Sequence, residues 1–170
     1  VIKKSNGRLH SIENWNEYHN SGMSGPFAKD DKVNVNIHKA IYKAIQDSGE
    51  DVLAVGIDED GWGLYNTDGI RNYLKTMNGE KCYDVISLHP YGDGTKPEGP
   101  GNILKKFPDD VKKLLVEYKQ DPDVPFYFSE VGYSDRHSTI NDDRTKQAAY
   151  TTRMFAYTAG KKSAEVVFNY

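Results

Sequence analysis

The sequence has little of what marks membrane proteins, disulfide-rich proteins or nucleic-acid-binding proteins. Its single cysteine, Cys82, excludes an intrachain disulfide and leaves the redox compartment open. No apolar run is long enough to span a bilayer, and no signal-peptide pattern follows Val1. The net charge of −3 gives no electrostatic case for a nucleic-acid or membrane partner. The histidines and cysteine form no recognisable metal set, so no metal or other cofactor is expected.

What is present suits one domain over residues 1–170. A chain of 170 residues can bury a real core, although only 37% of its residues are hydrophobic. Its twelve tyrosines would suit a protein that stacks flat ligands, but tyrosine is also common in ordinary cores.

Apolar runs alternate with amphipathic segments along the chain. The runs begin near Leu9, Val52, Asp84, Pro125 and Glu165, and each gap has room for a loop, a helix and a return. The runs are nearly continuous stretches of apolar residues rather than strict alternations, as in strands that are buried on both faces. We therefore predict an α/β fold with a parallel sheet.

The segments between the runs have helical periodicity. Apolar side chains recur at three- and four-residue spacing, and glycine, proline or acidic residues mark the predicted ends. The predicted helices cover Val35 to Ser48, Thr67 to Met77, Pro108 to Tyr118, and Asp142 or Asp143 to Ala159.

Two glutamates are predicted to close buried strands. Glu17 ends the segment that begins at Leu9, and Glu130 ends the segment that begins at Pro125. Parallel α/β proteins place their chemistry at the carboxyl ends of the strands. Two carboxylates at one end of the sheet suit acid/base and nucleophilic catalysis of glycosidic-bond cleavage.

Three short motifs resemble those of clan A glycoside hydrolases, which are retaining (β/α)8 barrels. The segment Asn14-Trp15-Asn16-Glu17 resembles the Trp-Asn-Glu motif at the end of their fourth strand. His89-Pro90-Tyr91 resembles the end of the sixth strand, where a His or Tyr supports the nucleophile. Glu130-Val131-Gly132 resembles the Glu-x-Gly motif of the seventh strand. The motifs occur in the family's order and span most of the chain.

The resemblance implies a partial TIM barrel. A complete barrel needs about 250 residues, whereas five strands, the fourth to the eighth, are expected here. The chain would be the C-terminal part of such a barrel, from a xylosidase/iduronidase-like or cellulase-like branch. Its partners would be a carbohydrate substrate and the missing part of the barrel or another copy. Location stays open, although the resemblance favours a secreted protein.

The resemblance also implies roles for individual residues. Glu17 would be the general acid/base, Glu130 the nucleophile, and Asn16 a hydrogen-bond partner of the sugar hydroxyl next to the reacting carbon. Retaining enzymes hold their two carboxyls about 5–5.5 Å apart. Tyr91 or His89 would donate a hydrogen bond that keeps Glu130 ionised. A satisfied structural histidine is an equal alternative for His89.

Other aromatic residues are candidates for contacts with the sugar. Trp62 lies between Gly61 and Gly63 just after the fifth strand, where its indole would be either a sugar platform or an anchor for the loop. Tyr133 and Tyr170 follow predicted strand ends and would line the pocket.

Three functions remain open at this point. The first is a retaining glycoside hydrolase, and the second is a non-catalytic carbohydrate-binding or structural remnant of such a barrel. The third is a metal-dependent hydrolase that uses Asp58, His89 and Glu130, although these residues lack a convincing ligand spacing.

Overall fold

A computed structural model provides the structure of the chain. It describes residues 2–13, 15–19, 30–60, 67–91, 95–101, 103–134 and 140–170, without the side chains of residues 58–60. The candidate sugar platform Trp62, the side chain of Asp58 and the motif residue Asn14 therefore lie outside the described residues.

The described strands form one parallel sheet in chain order. The five strands are β1 (Ser11–Glu13), β2 (Leu53–Asp60), β3 (Val85–His89), β4 (Phe126–Val131) and β5 (Val166–Asn169). Each strand pairs in parallel with the next, in the order β1-β2-β3-β4-β5. The sheet curls into a half-barrel, and helices alternate with its strands. This confirms the predicted α/β fold and partial TIM barrel.

Helices connect each strand to the next. A 3-10 turn covers Ile2–Ser5, and the α-helices are α1 (Asp31–Ser48), α2 (Thr67–Met77), α3 (Ile103–Glu117) and α4 (Arg144–Lys161). None of the helices in the described ranges has both the length and the apolar character needed to cross a membrane. The main core lies between these helices and the sheet. Its largest fully buried side chains include Tyr18, Tyr73, Phe107 and Phe128.

The helix ends follow from local hydrogen bonding. Asp30 caps α1 by accepting a 3.0 Å hydrogen bond from the Val33 amide, and Gly49 ends the helix in the left-handed conformation. Asp143 caps α4 in the same way, through the Lys146 amide at 2.9 Å. The predicted stop at Gly49 and the predicted start at Asp143 are thereby confirmed.

The predicted start of α3 at Pro108 is wrong. Proline favours the first turn of a helix, but here α3 begins at Ile103 and contains Pro108. Leu104 and Phe107 are fully buried and extend the apolar stripe of the helix by one turn toward its N-terminus. Asp109 therefore lies in mid-helix, where it pairs with Lys105 rather than with the helix dipole.

The first strand is shorter than predicted. Strand β1 ends at Glu13, so Glu17 does not close a strand but follows it after three further residues. Glu17 has a positive φ of 44°, an uncommon conformation for a non-glycine residue. Glu17 is nevertheless buried, with 8% of its surface exposed.

A buried histidine anchors α1 against α2. His38 is 1% exposed, its Nδ1 contacts the Tyr73 hydroxyl, and that hydroxyl lies 3.3 Å from Cys82 Sγ. Gly56 leaves room for the imidazole, since a Cβ there would lie 3.1 Å from His38 Nδ1. Burial lowers the pKa of His38 from 6.5 to about 4.

We expect this histidine to make the fold sensitive to acid. Because its folded pKa is depressed, the unfolded chain binds the extra proton first, and stability falls as pH drops from about 6.5 toward 4. The loss should be about 2–3 kcal/mol at pH 4.5. Urea unfolding at pH 7 and pH 4.5 measures it, and His38→Gln should remove that share of the pH dependence. An unchanged pH dependence in His38→Gln would contradict this origin.

Candidate active site

The two predicted catalytic glutamates meet around one imidazole. His89, the last residue of β3, places Nδ1 2.8 Å from Glu17 Oε1 and 4.0 Å from Glu130 Oε2. His89 and Glu17 are buried, whereas the Glu130 side chain is 24% exposed. The structure thus brings together three residues that are 72 and 41 positions apart along the chain (89−17 and 130−89).

The spacing of this cluster would also suit a cation. One ligand-type atom from each of Glu17, His89 and Glu130 lies within 4.8 Å of the others. The Nδ1–Oε1 contact has hydrogen-bond length, however, so a single proton satisfies it. We therefore interpret the cluster in terms of proton chemistry.

Tyr91 supports Glu130 from the loop after β3. Its hydroxyl donates a hydrogen bond to Glu130 Oε1, on the other side of the carboxylate from His89. The pKa of Tyr91 is raised, first by burial and then by the hydrogen bond to Glu130. Tyr91 therefore stays protonated and remains a donor at neutral pH.

The irregular pairing of β4 explains how two neighbouring residues both serve the site. Side chains alternate along a strand, so Ser129 and Glu130 would ordinarily face opposite sides. The β4–β5 register shifts between Phe128 and Val131, and such irregularities re-aim side chains near active sites. Ser129 thus reaches His89 Nε2 at 2.9 Å while Glu130 contacts Tyr91.

A second polar group beneath the glutamates was not predicted from the sequence. Glu13 Oε1 accepts hydrogen bonds from Ser87 Oγ at 2.5 Å and Ser129 Oγ at 2.8 Å. The two serine hydroxyls also contact each other, and Ser129 links the group to His89. Polar residues inside otherwise apolar strands, such as Ser87 in β3, were the available signal.

The other predicted sugar-contact residues lie in different surroundings. Asn16 directly precedes Glu17 and is half-buried. Tyr133 is 5% exposed and packs edge-on against Tyr150 in the core, with ring centroids 5.4 Å apart. Tyr170 follows β5 and is exposed, and its backbone amide donates a 3.0 Å hydrogen bond to the Val131 carbonyl.

We expect Gly132 to be essential for the pairing of β4 with the end of the chain. A Cβ at Gly132 would lie 2.4 Å from the Tyr170 carbonyl oxygen, which is backbone and cannot rotate away. Gly132→Ala should therefore lower the free energy of unfolding by about 1–3 kcal/mol, as urea denaturation would measure. Gly160→Ala is the matched control, because nothing lies within 4 Å of its Cβ. Equal stability of the two variants would contradict the clash.

Solved structures share this fold. No family model and no curated protein matches the sequence. A GH39 enzyme from Xanthomonas axonopodis pv. citri matches 98% of this chain with 33% of its own, at a TM-score of 0.69 and 16% identity. A GH39 β-xylosidase from Caulobacter crescentus matches 98% of this chain with 34% of its own length, at a TM-score of 0.65 and 18% identity.

A third solved structure has a similar fold. A family 39 glycoside hydrolase from Bacteroides cellulosilyticus WH2 matches 99% of this chain with 35% of its own, at a TM-score of 0.62 and 14% identity. The chain thus spans about a third of the length of each neighbour. Its fold is similar to the C-terminal part of the barrel in GH39 glycoside hydrolases of clan A, which confirms the resemblance drawn from the motifs.

Proposed function

We propose that this chain is the part of a retaining glycoside hydrolase that carries both catalytic carboxylates. The observation that supports this most strongly is the convergence of Glu17 and Glu130 on His89 Nδ1, at 2.8 and 4.0 Å. Retaining enzymes need their two carboxyls close together, one protonated and one ionised. The buried Glu17 suits the protonated form, and the more exposed, hydrogen-bonded Glu130 suits the ionised form.

The proposed reaction is a double displacement. Glu130 attacks the anomeric carbon while the bond to the leaving oxygen breaks, and Glu17 gives its proton to that oxygen. The product is a covalent glycosyl–enzyme. A water molecule then attacks the same carbon, Glu17 takes its proton, and Glu130 leaves as a carboxylate. Asn16 would hydrogen-bond the hydroxyl next to the reacting carbon.

The neighbours favour a β-xyloside as the first substrate to test. One of them is named as a β-xylosidase, and all share the fold of this chain. The chain covers only about a third of each, so a carbohydrate substrate and a completed barrel are both part of the proposal. Within the described sheet, β1 and β5 each pair on one side only, which leaves edges for further βα units.

Release of a chromogenic aglycone tests this function. We expect the chain to hydrolyse an aryl β-xyloside, within a panel of aryl β-glycosides, faster than its Glu130→Gln variant does. Proton NMR should show the β-anomer as the first sugar product. No release above Glu130→Gln would favour the non-catalytic remnant, and an α-anomeric first product would exclude the double displacement. Loss of activity with EDTA would favour the metal-dependent hydrolase instead.

The hydroxyl of Tyr91 should contribute measurably to this reaction. A hydrogen bond to an ionised group is worth about 1.5–3 kcal/mol, so Tyr91→Phe should lower kcat/KM by roughly 10- to 100-fold. Tyr127→Phe is the matched control, because Tyr127 belongs to the same sheet and its hydroxyl lies near His10 rather than Glu130. Steady-state kinetics on the aryl glycoside compares the two. Equal losses in both variants would contradict a specific role for Tyr91.

A further inference from the structure

The polar group formed by Glu13, Ser87 and Ser129 makes more short contacts than its two hydroxyl hydrogens can fill. Four contacts link Glu13 to Ser87, Glu13 to Ser129, Ser87 to Ser129, and Ser129 to His89 Nε2. As a carboxylate, Glu13 only accepts, and each serine hydroxyl donates a single hydrogen. Without a hydrogen on His89 Nε2, at most two of the four contacts are hydrogen bonds.

If His89 Nε2 carries a hydrogen, three of the four contacts can be hydrogen bonds at the same time. Nε2 then donates to Ser129 Oγ at 2.9 Å, while the hydroxyl hydrogen of Ser129 turns toward Glu13 or Ser87. The reverse arrangement, in which Ser129 donates to Nε2, leaves a lone-pair contact between Ser129 Oγ and Glu13 Oε1 at 2.8 Å. The group therefore favours the tautomer of His89 that is protonated at Nε2.

The tautomer determines what His89 does on its other side. In the neutral imidazole with a hydrogen on Nε2, Nδ1 is an acceptor. Its partner at 2.8 Å, Glu17 Oε1, must then supply the proton of that hydrogen bond. Because His89 and Glu17 are both buried, a neutral pair is favoured over an imidazolium and a carboxylate.

We propose that Glu13 is a positioning residue that holds the catalytic proton on Glu17, acting through Ser129 and the Nε2–H tautomer of His89. This inference rests on the proposed function, in which Glu17 is the general acid. Glu13 does not touch the substrate in this role. It decides instead whether the acid carries a proton before the leaving group departs.

Nitrogen NMR of the histidine ring tests the tautomer without any substrate. In the ¹⁵N-histidine-labelled chain at pH 7, we expect His89 to show a protonated Nε2 and an unprotonated, hydrogen-bonded Nδ1. Assignment uses His89→Gln. A neutral ring protonated at Nδ1 would overturn the proposal, and so would an imidazolium protonated at both nitrogens, since Glu17 would then be a carboxylate.

Two variants separate the role of Glu13 from general packing. Glu13→Gln brings an amide that can donate to the serines, which frees the Ser129 hydrogen to face Nε2 and permits the other tautomer. Ser87→Ala removes a neighbour but keeps the chain from Glu13 through Ser129 to Nε2–H. We expect the tautomer to change in Glu13→Gln and to persist in Ser87→Ala. The same behaviour in both variants would overturn the proposal.

Kinetics supply a readout that a merely structural role would not move. For Glu13→Gln, kcat/KM should fall at least tenfold for an alkyl glycoside, which needs the acid, and less than twofold for a dinitrophenyl glycoside, which does not. Equal falls on both substrates would overturn the proposal. A failure of the proposed function looks different, because the unmodified chain would then hydrolyse neither glycoside while its ring tautomer stayed as expected.

Discussion

Replacement of Glu130 by alanine is expected to lower glycoside hydrolysis by roughly 10⁴-fold or more. The reason is that the double displacement has no path without its nucleophile, whereas Glu17 and the rest of the site persist. Azide should restore part of the rate on an activated aryl glycoside. It would enter the space of the missing carboxylate and attack from the same face, so it should give an α-glycosyl azide.

The configuration of the azide product is the control for this result. Azide acting on Glu17→Ala should instead attack the glycosyl–enzyme on the face where water attacks, and so yield a β-glycosyl azide. A β-azide from Glu130→Ala, or an α-azide from Glu17→Ala, would show that the two glutamates have exchanged roles. Full activity of Glu130→Ala would remove it from the mechanism.

Replacement of Glu17 by glutamine should have the second largest effect, and its size should depend on the leaving group. General acid catalysis contributes about 10²- to 10⁴-fold, but a dinitrophenolate leaves without protonation. We therefore expect the full loss in kcat/KM for alkyl glycosides and a small loss for dinitrophenyl glycosides. Measuring kcat/KM across a series of leaving groups gives the dependence directly.

Two outcomes would contradict the role given to Glu17. A uniform loss across the series would mean that Glu17 binds or orients the sugar rather than donating a proton. A loss in kcat on the dinitrophenyl substrate, with kcat/KM unchanged across the series, would assign Glu17 to the second step alone. Glu50→Gln is a suitable control for removal of a carboxylate, because Glu50 is exposed in the turn before β2, away from the barrel rim.

The sheet was predictable because its strands are buried on both faces. The run from Val85 to Leu88 is apolar except at Ser87 and is buried at every position, which is typical of a parallel sheet covered by helices. The helix Thr67–Met77 was predicted with its observed bounds, since its buried residues recur with helical spacing. Local pattern and tertiary burial agree in these segments.

The failures occur where tertiary structure overrides local pattern. Glu17 was expected to close a strand, but β1 ends four residues earlier, and Glu17, in a left-handed backbone conformation, contacts His89. The group formed by Glu13, Ser87 and Ser129 depends on strand register and on the irregular pairing of β4. Single-sequence periodicity carries no information on either.

Tyr133 illustrates the same limit for the pocket. Its position just after a strand end suggested a place in the pocket, yet its ring packs on Tyr150, and its carbonyl accepts a 2.6 Å hydrogen bond from Gln147 Nε2. Position along the chain predicted the right end of the barrel, but it could not predict which way the side chain turns.

Trapping the glycosyl–enzyme tests the central claim most directly. A 2-deoxy-2-fluoro-β-xyloside with a dinitrophenolate leaving group should glycosylate Glu130 and accumulate there. The fluorine slows both displacements, whereas the good leaving group speeds only the first. Mass spectrometry of the intact chain should show one added fluorosugar, and peptide fragmentation should place it on Glu130. A label on Glu17 or on any other residue, or hydrolysis of ordinary aryl xylosides without any label, would contradict the account.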